Sequence, residues 1–224
     1  MMADEDYKIA IGQIVKERLL ADPRALKLPA AGLDIFVVRQ FLSDEECAGL
    51  IALIDRNRVP STLLQPTGDP EFRTSESCNL AAWDPIVRQV ENKLVHLLDV
   101  DFELGETIQG QRYAVGQQFK PHHDFFYPNT IYWDEMMRTG GQRTWTAMAF
   151  LNTPEEGGQT NFPKANIKIA PVQGNLLVWN NLDELGAPNL QTLHQGMPVL
   201  AGTKYVITKW HRERPWLPSG KHNY

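Results

Sequence analysis

Cysteine is nearly missing from this sequence of 224 residues. Cys47 and Cys78 are the only two, they form no metal-type pair, and they cannot supply the disulfide framework of a small secreted domain. A reducing, cytoplasmic setting is therefore expected. Long apolar runs are missing too, which leaves no candidate membrane-spanning helix. The opening residues carry early acids and lack the continuous apolar stretch of a signal peptide. No cluster of one charge stands out: 22 basic and 27 acidic side chains are interspersed, for a net charge of -5. A nucleic-acid backbone is thus not expected as primary partner, and neither is a membrane surface. What remains is a chain with 42% hydrophobic residues, long enough to bury one sizeable core. A single domain over 1–224 is the expectation, with helical support over 1–105, a β core over 106–214 and a tail over 215–224.

The first half reads as helical. Residues 7–20 place Ile11, Ile14, Val15 and Leu19 at helical spacing. A short strand is expected over 34–39. Ser43 followed by Glu46 forms a capping-box pattern that opens a helix to about residue 58, with Leu50, Ile51 and Ile54 inward. Residues 60–79, rich in Pro, Thr, Ser and Gly, read as a loop. Asp84-Pro85 then supplies an N-cap and a first-turn proline for a helix to about residue 98. His96 lies on that helix beside Leu97 and Leu98, where a structural role is the simpler reading. From Thr107 onward the texture changes to short β-branched and aromatic segments broken by Gly, Pro and Asn. Strands are expected over 109–115, 119–124, 144–151, 167–170, 175–179, 194–198 and 203–210. The fold class that follows is α+β with a mainly β core, an antiparallel jelly roll with N-terminal helices on one face.

The chemistry gathers in QRYAVGQQFKPHHD, residues 111–124. Strand alternation sends His122 and Asp124 to one side and His123 to the other. Two histidines and a carboxylate on one face of a metal suit non-heme Fe(II) with open positions, and His194, seventy residues after Asp124, is the obvious third ligand. A slipped or bulged strand would put His123 in place of His122. Glu155 and Glu156 lie in a turn context that points them to solvent.

These residues sit inside a longer pattern. It runs Tyr113-x-x-Gly116-x-x-Phe119-x-x-His122-x-Asp124, then Arg143-x-x-Thr146 with Phe150-Leu151-Asn152, then EGGQTNFP at 156–163, then His194-x-Gly196-x-Pro198-Val199 with Gly202-x-Lys204 and Lys209-Trp210. In this the chain resembles the prolyl 4-hydroxylase family, in its compact form. The resemblance covers about half the chain; the first hundred residues match only loosely. It implies a double-stranded β-helix and an Fe(II)- and 2-oxoglutarate-dependent dioxygenase that releases succinate and CO2. His122, Asp124 and His194 would hold the iron. Lys204 would bind the distal carboxylate of 2-oxoglutarate, assisted by Tyr113 and Thr160, since a buried carboxylate needs a cation and hydroxyl donors. O2 would be the second substrate, ascorbate a reductant, and a proline-containing peptide the prime substrate. Phe119 departs from the tyrosine usual in the family.

The long connection over 125–142, with Tyr127, Tyr132, Trp133, Met136 and Met137 and ending on Gly140-Gly141, is expected as a mobile lid, or else as a loop carrying a short helix over 133–138. Tyr127 within it, Arg143 at its end and Trp210 on the barrel wall are the candidate peptide contacts. Three readings of other classes stay open: a zinc hydrolase built on the same three ligands, which would have no use for Lys204, a metal-free or sugar-binding jelly-roll module, and a structural interaction protein. Within the dioxygenase reading, another peptide residue or a small molecule is the alternative substrate.

Overall fold

The computed structural model describes residues 4–216, so most of the expected tail, 217–224, lies outside the described residues. Four α-helices are present: α1 (Asp4–Ala21), α2 (Asp44–Asn57), α3 (Pro85–Leu98) and α4 (Trp133–Arg138). The strands are β1 (Ala25–Lys27), β2 (Ile35–Val38), β3 (Val59–Pro60), β4 (Glu76–Asn79), β5 (Gln109–Tyr113), β6 (Phe119–His122) and β7 (Arg143–Phe150), followed by β8 (Glu156–Gly157), β9 (Thr160–Phe162), β10 (Ile167–Ile169), β11 (Leu176–Asn180), β12 (His194–Gly196), β13 (Val199–Ala201) and β14 (Lys204–Arg212). An eight-stranded sheet runs β1-β2-β11-β7-β14-β5-β4-β3, and a four-stranded sheet runs β10-β9-β12-β6. All named strand pairs are antiparallel. This is the expected jelly roll, a double-stranded β-helix.

Period-two alternation in the central strands builds two cores. On β7, Trp145, Ala147 and Ala149 join the layer beneath the helices, while Met148 and Phe150 join the layer between the sheets. Strand β11 divides likewise, with Leu176 and Val178 under the helices and Leu177 and Trp179 between the sheets. The helices answer with Ile11, Val15 and Leu19 from α1, Leu50 and Ile54 from α2, and Val87, Val90 and Leu94 from α3. The capping box forms as the sequence indicates: Ser43 Oγ accepts from Glu46 N–H, and Glu46 Oε2 accepts from Ser43 N–H. Asp84 caps α3 through Ile86 N–H, with Pro85 in the first turn.

Several expectations need correction. Ile14 faces solvent, so the buried stripe of α1 is the narrower Ile11, Val15, Leu19. The first half is not helical support alone: β1 and β2 extend one edge of the large sheet, and β4 and β3 the other. Strand β4 falls inside the expected loop 60–79. Its sequence, ESCN, lacks a strand signature, and pairing with β5 in the register Glu76↔Arg112 to Asn79↔Gln109 draws it into the sheet. Strands β8 and β9 were hidden in the EGGQTNFP motif. The connection 125–142 carries the short helix α4, and Gly140-Gly141 at its end is a packed corner. A Cβ on Gly141, at φ 75°, would lie 2.1 Å from Glu213 Oε1. Gln142 secures the same corner, accepting from Phe126 N–H and donating to Phe126 O.

Candidate active site

Strand β12 pairs with β6 so that His194 lies directly opposite His122. Asp124 follows two residues beyond the end of β6, and the three side chains bring ligand atoms to within 4.8 Å of one another. His122 Nε2 is 3.8 Å from Asp124 Oδ1, and His194 Nε2 is 3.9 Å from Asp124 Oδ2. Each imidazole uses its other nitrogen on a backbone carbonyl, His122 Nδ1 on Lys120 O at 2.8 Å and His194 Nδ1 on Thr192 O at 2.9 Å. That contact makes Nδ1 the protonated nitrogen and leaves both Nε2 lone pairs turned to the carboxylate. Burial and the neighbouring His194 hold His122 down to about 3, so it stays neutral. Burial would raise Asp124, but the nearby histidines and Arg143 outweigh it and keep the carboxyl below its usual range. Two imidazoles and one carboxylate, clustered with no other protein ligand among the described residues, fit a divalent iron with positions to spare.

His123 points away, as alternation requires: Tyr127 donates its hydroxyl hydrogen to His123 Nδ1 at 2.7 Å, and His123 Nε2 lies 3.3 Å from Leu190 O. The turned-out Glu155 and Glu156 are exposed, and His96 sits on α3 far along the chain, its carbonyl accepting from Arg18.

A cavity between the sheets joins the three ligands to Tyr113, Thr160 and Lys204, so the two groups of candidate residues share one space. Lys204 pairs in register with Tyr113 across β14 and β5. Lys204 is 2% exposed, and its ammonium meets the rings of Tyr113 at 5.3 Å and Phe150 at 5.7 Å, with no carboxylate against it among the described residues. Burial alone pulls it down to about 7. Thr160 Oγ1 is buried with no hydrogen-bond partner. A cation without a counter-charge and an orphaned hydroxyl lining the same cavity as three candidate metal ligands are what a chelating dicarboxylate would satisfy. Phe119, where the family has tyrosine, stacks on His122 with centroids 3.6 Å apart and rings 15° from parallel, a packing role.

Of the candidate peptide contacts, Trp210 lines the cavity. Arg143 stands beside it with its guanidinium 4.1 Å from the Trp210 ring, and Nη1 is 3.5 Å from the Asp124 carbonyl. Most of its fork is already used, through Nε and Nη2 on the two oxygens of Glu106 at 2.6 and 2.7 Å. Tyr127 is not among the cavity-lining residues; it packs outside on Phe125 and His123.

Sequence reasoning missed Glu106, Arg212, Arg73 and Asn181, and gave Thr146 no role. Glu106 is shared by Arg143 and Arg212, and Arg212 also holds the Met136 carbonyl of α4 at 2.7 Å. Arg73 lies over the outer face of Phe119 at 4.7 Å. Thr146 and Asn181 stand behind Asp124. No local pattern marks the arginines or Glu106, whereas Thr146 was already visible in the Arg143-x-x-Thr146 motif, without a role.

A family model described as the 2OG-Fe(II) oxygenase superfamily matches residues 108–212. Among curated relatives, probable prolyl 4-hydroxylase 8 of Arabidopsis thaliana is 33% identical over 204 residues, covering 78% of this chain and 67% of that protein. Prolyl 4-hydroxylase 1 of the same plant is 32% identical over 232 residues, covering 94% and 77%. Among solved structures, the viral collagen prolyl hydroxylase of Paramecium bursaria Chlorella virus-1, in its 2OG complex, superposes with a TM-score of 0.64 at 27% identity, covering 80% of this chain and 95% of that one.

Proposed function

The chain belongs to the prolyl 4-hydroxylase family of Fe(II)- and 2-oxoglutarate-dependent oxygenases, and from that premise we propose that it hydroxylates C4 of a prolyl residue in an extended peptide. The observation that carries the reading is one cavity lined both by the three candidate iron ligands and by the buried Lys204, which has no carboxylate partner among the described residues. A zinc hydrolase or a sugar-binding module has no need of that lysine.

When bound, Fe(II) and 2-oxoglutarate together with O2 supply the oxidising chemistry, which yields succinate, CO2 and one hydroxyl oxygen. The protein's part is placement. His122, Asp124 and His194 would hold the iron with two imidazole nitrogens and one carboxylate, brought together by the pairing of β6 with β12. Lys204 and Thr160, with Tyr113 beside them, take the far carboxylate, which fixes the cosubstrate's direction in the cavity. Phe162, Trp179 and Met148 keep the walls apolar and exclude water from the reacting centre. On the substrate side, Arg143 and Trp210 form the inner edge and Tyr127 the outer rim, a groove suited to polyproline II, whose carbonyls are free for donors. Cys47 and Cys78 are both free thiols, which supports a cytoplasmic setting, and no described helix is long and apolar enough to cross a membrane.

The test is succinate release with Fe(II), 2-oxoglutarate and a panel of proline-containing peptides, followed by mass spectrometry. A true substrate raises succinate and gains one oxygen on proline. Turnover on no prolyl peptide, with iron and 2-oxoglutarate still bound, would shift the substrate to another class within the same chemistry.

A further inference from the structure

Behind Asp124 stands a chain of hydrogen bonds that neither the motifs nor the relatives assign. Trp179 Nε1–H donates to Asn181 Oδ1 at 3.0 Å. Asn181 Nδ2–H donates to Thr146 Oγ1 at 2.8 Å. With its lone pair so engaged, the Thr146 hydroxyl donates to Asp124 Oδ2, also at 2.8 Å. The direction is set at its two ends, because an indole N–H can only donate and an ionised carboxylate can only accept. Trp179, Asn181 and Thr146 are 0–1% exposed, so water does not compete with any link.

The relay is assembled by the sheet. Thr146 on β7 lies opposite Trp179 on β11 in the strand register, and Asn181 follows at the end of β11. The Trp179 ring serves a second ligand: it meets His194 edge-on, centroids 4.9 Å apart at 64°, and Phe162 packs against both rings, 5.3 Å from the imidazole and 5.4 Å from the indole. One indole thus reaches Asp124 through its N–H and His194 through its ring.

We infer that Trp179, Asn181 and Thr146 are positioning residues for the iron site, holding Asp124 in one rotation before metal arrives. The proposal rests on the reading of His122, Asp124 and His194 as the iron ligands. Supporting partners behind metal ligands of this kind are worth about 10- to 100-fold in metal affinity. A fixed rotation removes entropy that iron binding would otherwise have to meet. Links in such a chain polarise one another, so an interruption at the far end is felt at Asp124.

The experiment measures metal affinity of the purified, metal-stripped protein by anaerobic calorimetry with Fe(II) and by the visible absorption of Co(II), separately from hydroxylation. Thr146→Val keeps the shape and removes both hydrogen bonds; about 10- to 100-fold weaker binding is expected. Thr146→Ser keeps the hydroxyl and should restore binding nearly to that of the parent. Trp179→Phe keeps a ring against His194 and removes only the N–H, so it should weaken binding by a smaller factor, and it stands in if Thr146→Val does not fold. Parent-like affinity in both Thr146→Val and Trp179→Phe overturns the proposal. So does a serine variant as weak as the valine one, which would make Thr146 a packing residue. If the parent itself binds neither Fe(II) nor Co(II), the underlying iron reading fails instead.

Discussion

Two lysines on strand β14, five residues apart and each 2% exposed, are accommodated in opposite ways. Lys209 faces the helices. Its ammonium is 2.6 Å from Glu91 of α3 and 5.1 Å from the Phe102 ring, and Gly105 leaves room for its stem, since a Cβ there would be 2.1 Å from Lys209 Cε. Lys204 faces the space between the sheets and has only aromatic faces for company. A lysine buried for the fold comes with its counter-charge supplied by the chain. A lysine buried without one leaves that charge to a ligand, and the desolvation cost it carries is recovered when the ligand binds.

The largest effect that would break this contrast is on stability. The Lys209–Glu91 pair is costly despite its short contact: burial pushes Glu91 up and Lys209 down, against their mutual attraction. Removing one partner leaves the other buried alone, so Lys209→Met should lower the unfolding free energy by about 3–5 kcal/mol, read from urea melts. Adding Glu91→Leu should recover most of the loss. The KM for 2-oxoglutarate should not move. A raised KM with unchanged stability would reverse the roles assigned to the two lysines.

Next in size is the ligand effect. Lys204→Met removes a cation with no protein partner, so stability should hold or rise. A charge-assisted hydrogen bond is worth about 1.5–3 kcal/mol, so the KM for 2-oxoglutarate should rise by about 10- to 150-fold. Iron affinity, measured separately, should stay near that of the parent. A variant that loses stability but keeps its KM would place the cosubstrate's anchor elsewhere.

Much of this contrast was legible in the sequence, because alternation along one strand is a local rule. It puts residues 204 and 209 on opposite faces, turns His123 outward, and sets His122 and Asp124 toward one side. The helix caps at Ser43 and Asp84 are equally local and formed as written. What escaped depends on who arrives from elsewhere in the chain. Glu91 reaches Lys209 across 118 residues and Glu106 reaches Arg212 across 106. Strand β4 is a strand only because β5 offers it an edge. Gly140-Gly141 looks like a hinge until Arg212 and Glu213 are packed against it. The relay behind Asp124 needs three strands to meet, and no spacing announces that.

The smallest effect sharpens the contrast by titration. Burial alone brings Lys204 down to about 7, so in the cosubstrate-free protein it begins to lose its proton near neutral pH. Bound 2-oxoglutarate favours the ammonium and lifts its pKa, so binding takes up a proton wherever the free lysine is neutral. Below pH 7 the lysine is charged in both states and affinity is flat. Above pH 7 affinity should fall about tenfold per pH unit, or about 1.4 kcal/mol, until the bound-state pKa is passed. The measurement is anaerobic titration of the Fe(II)-loaded protein with 2-oxoglutarate from pH 6 to 9 in one ionic strength. Lys204→Arg is the control: a guanidinium stays charged throughout, so its affinity should be weaker from imperfect fit but level across the range. A parent protein as level as the arginine variant would mean that Lys204 is held protonated, and that a counter-charge already faces it in solution. The difference between the two lysines would then be one of partner identity, with no charge left waiting for the ligand.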